Sequence, residues 1–335
     1  MYRFFLSGVI LIGLIGLIAC GSEDTVETSR GDTVIESPFT VVATVPLIAD
    51  WVSEIVGPDV RVKSMIPYGV NPHGYLFGAK DIAEITESDI VFAVGLQYES
   101  KTFEKLMDAH PDLRVVNLGD LVDPVPFKES GHDDHDDEDE HEGHDDHDDG
   151  DEHEGHDHGA YDPHFWFDPV RVASAVQVIA DKMAEFDPRA AQQYESRASD
   201  YLTKLNDLDQ DIQDRIAGVA ENKRIVMTSH ESLGYLGERY ELEIVRAVIP
   251  SVAADQEPGP GYLVEAIELI KVHGVQVIFL EAETSDATAK IVADESGIEV
   301  VSGLRVETLK NQDEDYIDFM KQNIEVIVET LKNLP

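Results

Sequence analysis

Twice along this chain, short runs of β-branched residues alternate with amphipathic segments, and that alternation restricts the fold more than any other feature. The runs FTVVATV (39–45), VRVKSMI (60–66), DIVFAVG (89–95) and RVVNLG (114–119) read as strands, and the segments from Pro46, Ala79 and Lys101 read as helices between them. Strands separated by helices predict a parallel sheet. The pattern returns after Asn222 with RIVMTS, EIVRAVI, VQVIFLE and IEVVSG as strands, and with helices from Leu233, Tyr262, Ala287 and Asp315. The expected fold is therefore α/β, built as two parallel-sheet lobes, and a chain of 335 residues that is 42% apolar can supply a core to each.

Between the two patterns, Pro188 stands where a helix can start. Tyr194, Ala198, Tyr201, Leu205, Leu208, Ile212 and Ile216 then recur at steps of three and four, which predicts one long, stiff amphipathic helix of roughly 45 Å that joins the lobes. A two-helix hairpin would show the same periodicity. The expected organisation is a leader over 1–19, a flexible tether over 20–37, an N-terminal lobe over 38–187, the connecting helix over 188–220 and a C-terminal lobe over 221–335.

The leader carries one early cation, Arg3, followed by an apolar run from Phe4 to Ile18 that is shorter than the ~20 residues needed to span a bilayer. Leu17-Ile18-Ala19-Cys20 resembles a bacterial lipobox. That resemblance implies export, with Cys20 as the lipid-modified first residue of the mature chain on the outer face of a membrane. Cys20 is the chain's one cysteine, so an internal disulfide is excluded.

The formal charge is −43, yet only 17 of the acids fall between Glu129 and Asp157, so acidity is general. A surface this negative repels phosphate backbones, which excludes nucleic acid as a partner, and it concentrates cations. Residues 128–160 form an insertion in which His132, His135, His141, His144, His147, His153, His156 and His158 are interleaved with carboxylates. With no apolar residue to bury between Gly131 and Gly159, this segment is expected to be disordered. Neighbouring pairs or triplets of its histidines can chelate divalent ions, but ordering a mobile chain weakens such sites, so they should be several, weak and exchangeable.

Five histidines lie outside the run. His110 and His273 sit at helix ends before turns and read as surface residues. His73, His164 and His230 each stand where a strand has ended or a helix is about to begin, so they can converge beyond the carboxyl ends of the strands, where open α/β sheets bind ligands.

The phrases NPHGY, DPHFWFDP and SHESLGYL, in this order and spacing, resemble the metal-binding solute-binding proteins of bacterial zinc and manganese ABC importers. GLQYE (95–99), IFLEAETS (278–285), DYIDFMKQN (315–323) and the His-rich insertion before the second histidine phrase agree with that resemblance, which covers Val41 to the C-terminus. It implies two α/β lobes joined by a long helix, a metal site in the interlobe cleft, and His73, His164 and His230 as ligands. In manganese-type members the third position carries a carboxylate, so His230 favours Zn(II). LRVETL (304–309) resembles the family segment that supplies a fourth ligand and places Glu307 there, with water as the alternative. The family's first phrase usually continues Tyr-Glu-Pro, whereas here Tyr75 is followed by Leu76-Phe77.

Three imidazoles and at most one carboxylate suit four-coordinate zinc better than the oxygen-rich octahedra that manganese prefers. The expected protein is a monomeric, non-enzymatic carrier, held at the membrane by its lipid, that delivers zinc to an ABC permease while the His-rich run collects zinc nearby. Other readings are a manganese carrier of the same family, a periplasmic zinc store or adhesin, and a zinc hydrolase. For the last, Glu231 or Glu281 could serve as base, but the HExxH spacing is missing, because Gly234 stands at the required position after His230-Glu231.

Overall fold

A computed structural model describes residues 39–127, 160–245, 260–283 and 287–335. Cys20, the tether and the eight histidines from His132 to His158 lie outside these residues.

The first half contains β1 (Thr40–Ala43), α1 (Pro46–Val56), β2 (Arg61–Ser64), α2 (Ala79–Thr86), β3 (Ile90–Ala93), α3 (Lys101–Ala109) and β4 (Val115–Asn117). Two long helices follow, α4 (Pro169–Phe186) and α5 (Ala191–Ala217). The second half contains β5 (Ile225–Thr228), α6 (Gly234–Tyr240), β6 (Glu243–Val245), α7 (Pro260–His273), β7 (Val277–Glu281), α8 (Ala287–Ser296), β8 (Glu299–Leu304) and α9 (Tyr316–Asn333). Each half forms a four-stranded sheet, ordered β2-β1-β3-β4 and β6-β5-β7-β8, and every strand pair is parallel. The two sheets thus repeat one topology, as the recurrence of the sequence pattern predicts.

Period-two alternation explains why the strands read as nearly unbroken apolar runs. In β1 and β3, Val41, Ala43, Ile90 and Phe92 face a large inner cluster, while Val42, Val91 and Ala93 face a smaller outer one under α2 and α3 that includes Ile85 and Phe103. The second sheet divides in the same way. Val226, Val277 and Phe279 turn to the same inner cluster, and Met227, Ile278 and Leu280 pack outward with α7 and α8 residues such as Ile270 and Val292. The inner cluster is shared: α1, α4, α5 and α9 contribute Trp51, Ile179, Leu208 and Phe319 to one apolar body that touches both sheets.

The predicted stripe lies on one long helix, which starts three residues after Pro188. Pro188 sits in a turn closed by the Ala190 N–H bond to Asp187 O (3.1 Å), and α5 begins at Ala191, preceded by α4. α4 and α5 form a hairpin whose apolar stripes meet in the shared core, and the predicted stripe belongs to α5 alone. The 27 residues of α5 give a length of about 40 Å at 1.5 Å per residue. All seven residues of the predicted stripe, Tyr194 to Ile216, are buried.

Candidate metal centre

The phrase DPHFWFDP folds as a unit in which nearly every residue has an identifiable task. Asp168 caps α4 by accepting the Val170 N–H at 2.9 Å, and Pro169 occupies the first turn, where its missing N–H costs nothing. Phe165, Trp166 and Phe167 are fully buried, each stabilising the fold by roughly 1.5–3 kcal/mol. The Trp166 indole N–H donates to Val306 O at 2.8 Å, and Trp166 O accepts the Tyr316 hydroxyl at 2.7 Å. These bonds tie His164 on one side to the segment that carries Glu307 on the other. Asp162 turns back and accepts both the His164 backbone N–H (2.9 Å) and its ring Nδ1 (2.7 Å), which aims Nε2 into the cleft.

His230 follows the carboxyl end of β5 and is oriented by a second carboxylate. Its Nδ1 is bonded to Glu281 Oε2, and the other Glu281 oxygen accepts the Ser232 hydroxyl at 3.1 Å. Glu281 closes β7 at a register shift against β8, an irregularity of the kind that re-aims a side chain beside a site. Gly234 of SHESLGYL is required by space, because a Cβ there would lie 2.5 Å from Asp162 Oδ2. His73 arrives on the loop after β2. Asn71 fixes that loop by accepting the His73 N–H at 2.9 Å and donating to Glu283 O at 2.8 Å, and Gly69 N–H donates to Leu309 O at 3.0 Å, so the N-terminal loop is stitched to the C-terminal half.

The three imidazoles converge on one oxygen. His73 Nε2, His164 Nε2 and His230 Nε2 lie 3.1, 3.2 and 2.9 Å from Glu307 Oε1, and one donor atom from each of the four residues lies within 4.8 Å of every other. His164, His230 and Glu307 are buried, and His73 is partly exposed, marking the open side of the centre. His230 Nε2 is buried yet makes no well-formed hydrogen bond, despite its 2.9 Å approach to Glu307. That is the behaviour of an atom aimed at a point among the four residues rather than at any one of them. A tetrahedral zinc ion with bonds of ~2.0–2.1 Å would set its donors roughly 3.4 Å apart, so Glu307 Oε1 need only draw back slightly from its 2.9–3.2 Å approaches, and donors spaced as widely as 4.8 Å need only draw in, for the four groups to hold one.

The electrostatics of the four groups follow from this crowding. Burial opposes charge on His164, but the carboxylates of Glu307 and Asp162 prevail and raise its pKa from 6.5 to about 9. Burial likewise opposes charge on His230, and Glu281 and Glu307 carry its pKa to about 10. For Glu307 burial favours the neutral acid, yet His73 and His164 hold the carboxyl well below its ordinary range. A cation bound by these imidazoles would therefore have to displace protons from them.

The four residues read from the sequence as a ligand set are thus brought to one point, while His110 and His273 are exposed at helix ends, the latter paired with Glu243 at 2.6 Å. Glu281, a candidate base on the hydrolase reading, is engaged with the far nitrogen of His230. Sequence reasoning missed Tyr98, whose hydroxyl donates to Glu307 Oε2 at 2.8 Å, and the orienting part of Asp162. The place of Asp162 two residues before a candidate histidine, in a turn, was the available signal. Changing Asp162 to Asn removes the charged acceptor at His164 Nδ1, and metal affinity should fall by about 10–100-fold, as is usual for such outer partners. Titration calorimetry checks this, and unchanged affinity would show that the contact with His164 Nδ1 does not orient the ring.

The sequence pattern of the zinc-uptake complex component A, periplasmic family matches residues 41–330. The chain belongs to that family. Among its relatives, the high-affinity zinc uptake system protein ZnuA of Bacillus subtilis is 32% identical over 336 residues, covering 97% of each chain. The manganese-binding lipoprotein MntA of Halalkalibacterium halodurans is 25% identical over 334 residues, covering 99% of each. The fold matches that of the periplasmic zinc-binding protein TroA from Treponema pallidum, with a TM-score of 0.72 at 20% identity over 88% of this chain and 99% of that one. A variant of the Mn-bound periplasmic metal-binding protein from Candidatus Liberibacter asiaticus gives 0.73 at 24% identity over 88% and 99%. This is a family of metal-binding, solute-carrying proteins of ABC importers, transport components rather than enzymes. Among the described residues no helix is long and apolar enough to cross a membrane.

Proposed function

We propose that this protein captures one Zn(II) ion with His73, His164, His230 and Glu307 and delivers it to the permease of an ABC importer. The observation that carries the reading is the convergence of three imidazole Nε2 atoms on a single carboxylate oxygen, two of the rings being held from behind by Asp162 and Glu281. Three nitrogens and one oxygen suit a borderline-soft, four-coordinate cation. Manganese is the second reading, because relatives of this chain are named for it. The position of Glu281 behind His230 supports a carrier over a hydrolase, since it places that carboxylate on the side of the ring away from Glu307.

We further propose that Cys20 carries the lipid that keeps a monomeric carrier beside its permease, and that the His-rich run gathers zinc through weak, exchangeable sites. Roughly 30 residues of flexible chain have a root-mean-square span of about 30 Å, enough to bring a collected ion to the cleft beside His164.

Calorimetric titration with zinc and with manganese, at pH 7.5 and at pH 5, tests the reading. Zinc should bind the more tightly, at one high-affinity site that survives deletion of residues 131–159. The sign of the pH effect follows from His164 and His230, whose pKa values of about 9 and 10 leave both protonated before loading. Each proton displaced weakens binding about tenfold per pH unit of acidification. Equal zinc affinity at the two pH values, or tighter manganese than zinc, contradicts a histidine-built zinc site.

A further inference from the structure

The loop that follows β3 is the most strained backbone near the centre. Gly95, Leu96 and Gln97 have φ angles of 78°, 53° and 62°, so two residues with side chains occupy left-handed conformations in succession. Glu99 holds the loop in place. One of its oxygens accepts the Val94 N–H (2.7 Å) and the Thr44 hydroxyl (2.7 Å), and the other accepts the Gly95 N–H (3.0 Å). What this braced turn delivers is Tyr98. The Tyr98 N–H donates to Gly95 O at 2.9 Å, and its ring stands edge-on to His73, His164 and Trp166, with centroids 5.2, 6.3 and 5.6 Å away. Its hydroxyl donates to Glu307 Oε2 at 2.8 Å while the other oxygen, Oε1, faces the three histidines. Burial and the neighbouring Glu307 carboxylate keep the phenol protonated, so it acts as a donor.

A carboxylate can offer a cation one oxygen or two. Offering both would turn Oε2 toward the cation and strip the buried Tyr98 hydroxyl of its acceptor, which is costly for a polar group away from water. We propose that Tyr98 is a positioning residue for metal selectivity: its hydroxyl holds Glu307 to one-oxygen coordination, limits the centre to four donors, and so favours zinc over manganese. Manganese seeks an oxygen-rich octahedron and loses the second carboxylate oxygen as well as the room for water, whereas zinc is complete with three nitrogens and one oxygen. This inference rests on the zinc reading above.

Tyr98→Phe keeps the ring contacts and removes the hydroxyl. The zinc-to-manganese affinity ratio should fall by about 10–100-fold, and the visible absorption of the Co(II)-loaded protein should weaken as a fifth donor enters, a change that loss of packing alone would not produce. In a Glu307→Ala background the same substitution should alter zinc affinity by less than about twofold, because Tyr98 then has nothing to hold. An unchanged ratio and an unchanged Co(II) spectrum in the variant, or an equal effect in the Glu307→Ala background, would overturn the proposal. So would a zinc-loaded crystal structure of the unaltered protein with both Glu307 oxygens on the cation, whatever the variant's folding. The outcomes separate the two claims. If the unaltered protein prefers manganese, the zinc reading fails and this inference falls with it; if it prefers zinc with four donors and Tyr98→Phe changes nothing, only the role of Tyr98 is lost.

Discussion

Replacing His73 by alanine should lower zinc affinity by more than about a hundredfold, beyond the loss expected for an outer partner, while leaving the metal-free protein close to its original stability. The same replacement at His164 or His230 should remove tight binding and also destabilise the fold. The difference lies in burial: the His73 side chain is 12% exposed, against 3% for His164 and 2% for His230. Alanine at position 230 takes the imidazole from the buried Glu281 carboxylate and one of three from Glu307, and breaking a buried pair by removing one partner costs on the order of 3–5 kcal/mol. Alanine at 73 opens a site that already reaches water on that side. Zinc titration and urea denaturation of all three variants in chelator check this ordering. Tight zinc binding in any one of them would remove that residue from the ligand set, and with it the account of the centre.

The second large effect concerns stability against pH and involves Asp50 on α1. Its Oδ2 accepts the N–H of Tyr316, the first residue of α9, at 3.0 Å, so a carboxyl from the first half caps a helix of the second. Burial, with added repulsion from Asp315 and Glu54, lifts its pKa from 3.8 to about 7. A carboxyl with a raised pKa holds its proton in the folded state over a range where the unfolded chain releases it. The contribution to stability is complete below about pH 4 and is lost as pH rises through about 7. At 1.36 kcal/mol per unit the loss is at most about 4 kcal/mol, and the partial solvent access of Asp50 reduces it. Asp50→Asn mimics the protonated acid, keeps an oxygen for the Tyr316 N–H, and should flatten the curve. Relative to the original protein it gains about 2–4 kcal/mol between pH 4 and pH 8 in urea denaturation with zinc chelated. A difference between the two proteins that does not vary with pH would show that Asp50 carries no such shift.

Much of the architecture was legible because parallel strands buried on both faces read as continuous apolar runs, and β3 and β7 are the clearest cases. The first residue of α5 was not, since proline fits a first helical turn and an interhelical turn equally well, and the helix starts at Ala191 rather than Pro188. At the centre, three histidines stood out because each follows a strand or precedes a helix. The functions of Tyr98 and Glu281 could not be read in the same way. Tyr98 touches Glu307 across 209 positions of sequence, and Glu281 meets His230 across 51, so only the folded topology reveals what each one holds.

The apolar body shared by α1, α4, α5 and α9 has a thermodynamic consequence. Neither half possesses its main interior alone, because Trp51, Phe165 and Tyr316 pack together although they come from three distant stretches of chain. Melting one half would expose the inner face of the other, so the two repeats constitute a single cooperative unit, and the three histidines with Glu307 sit at its seam.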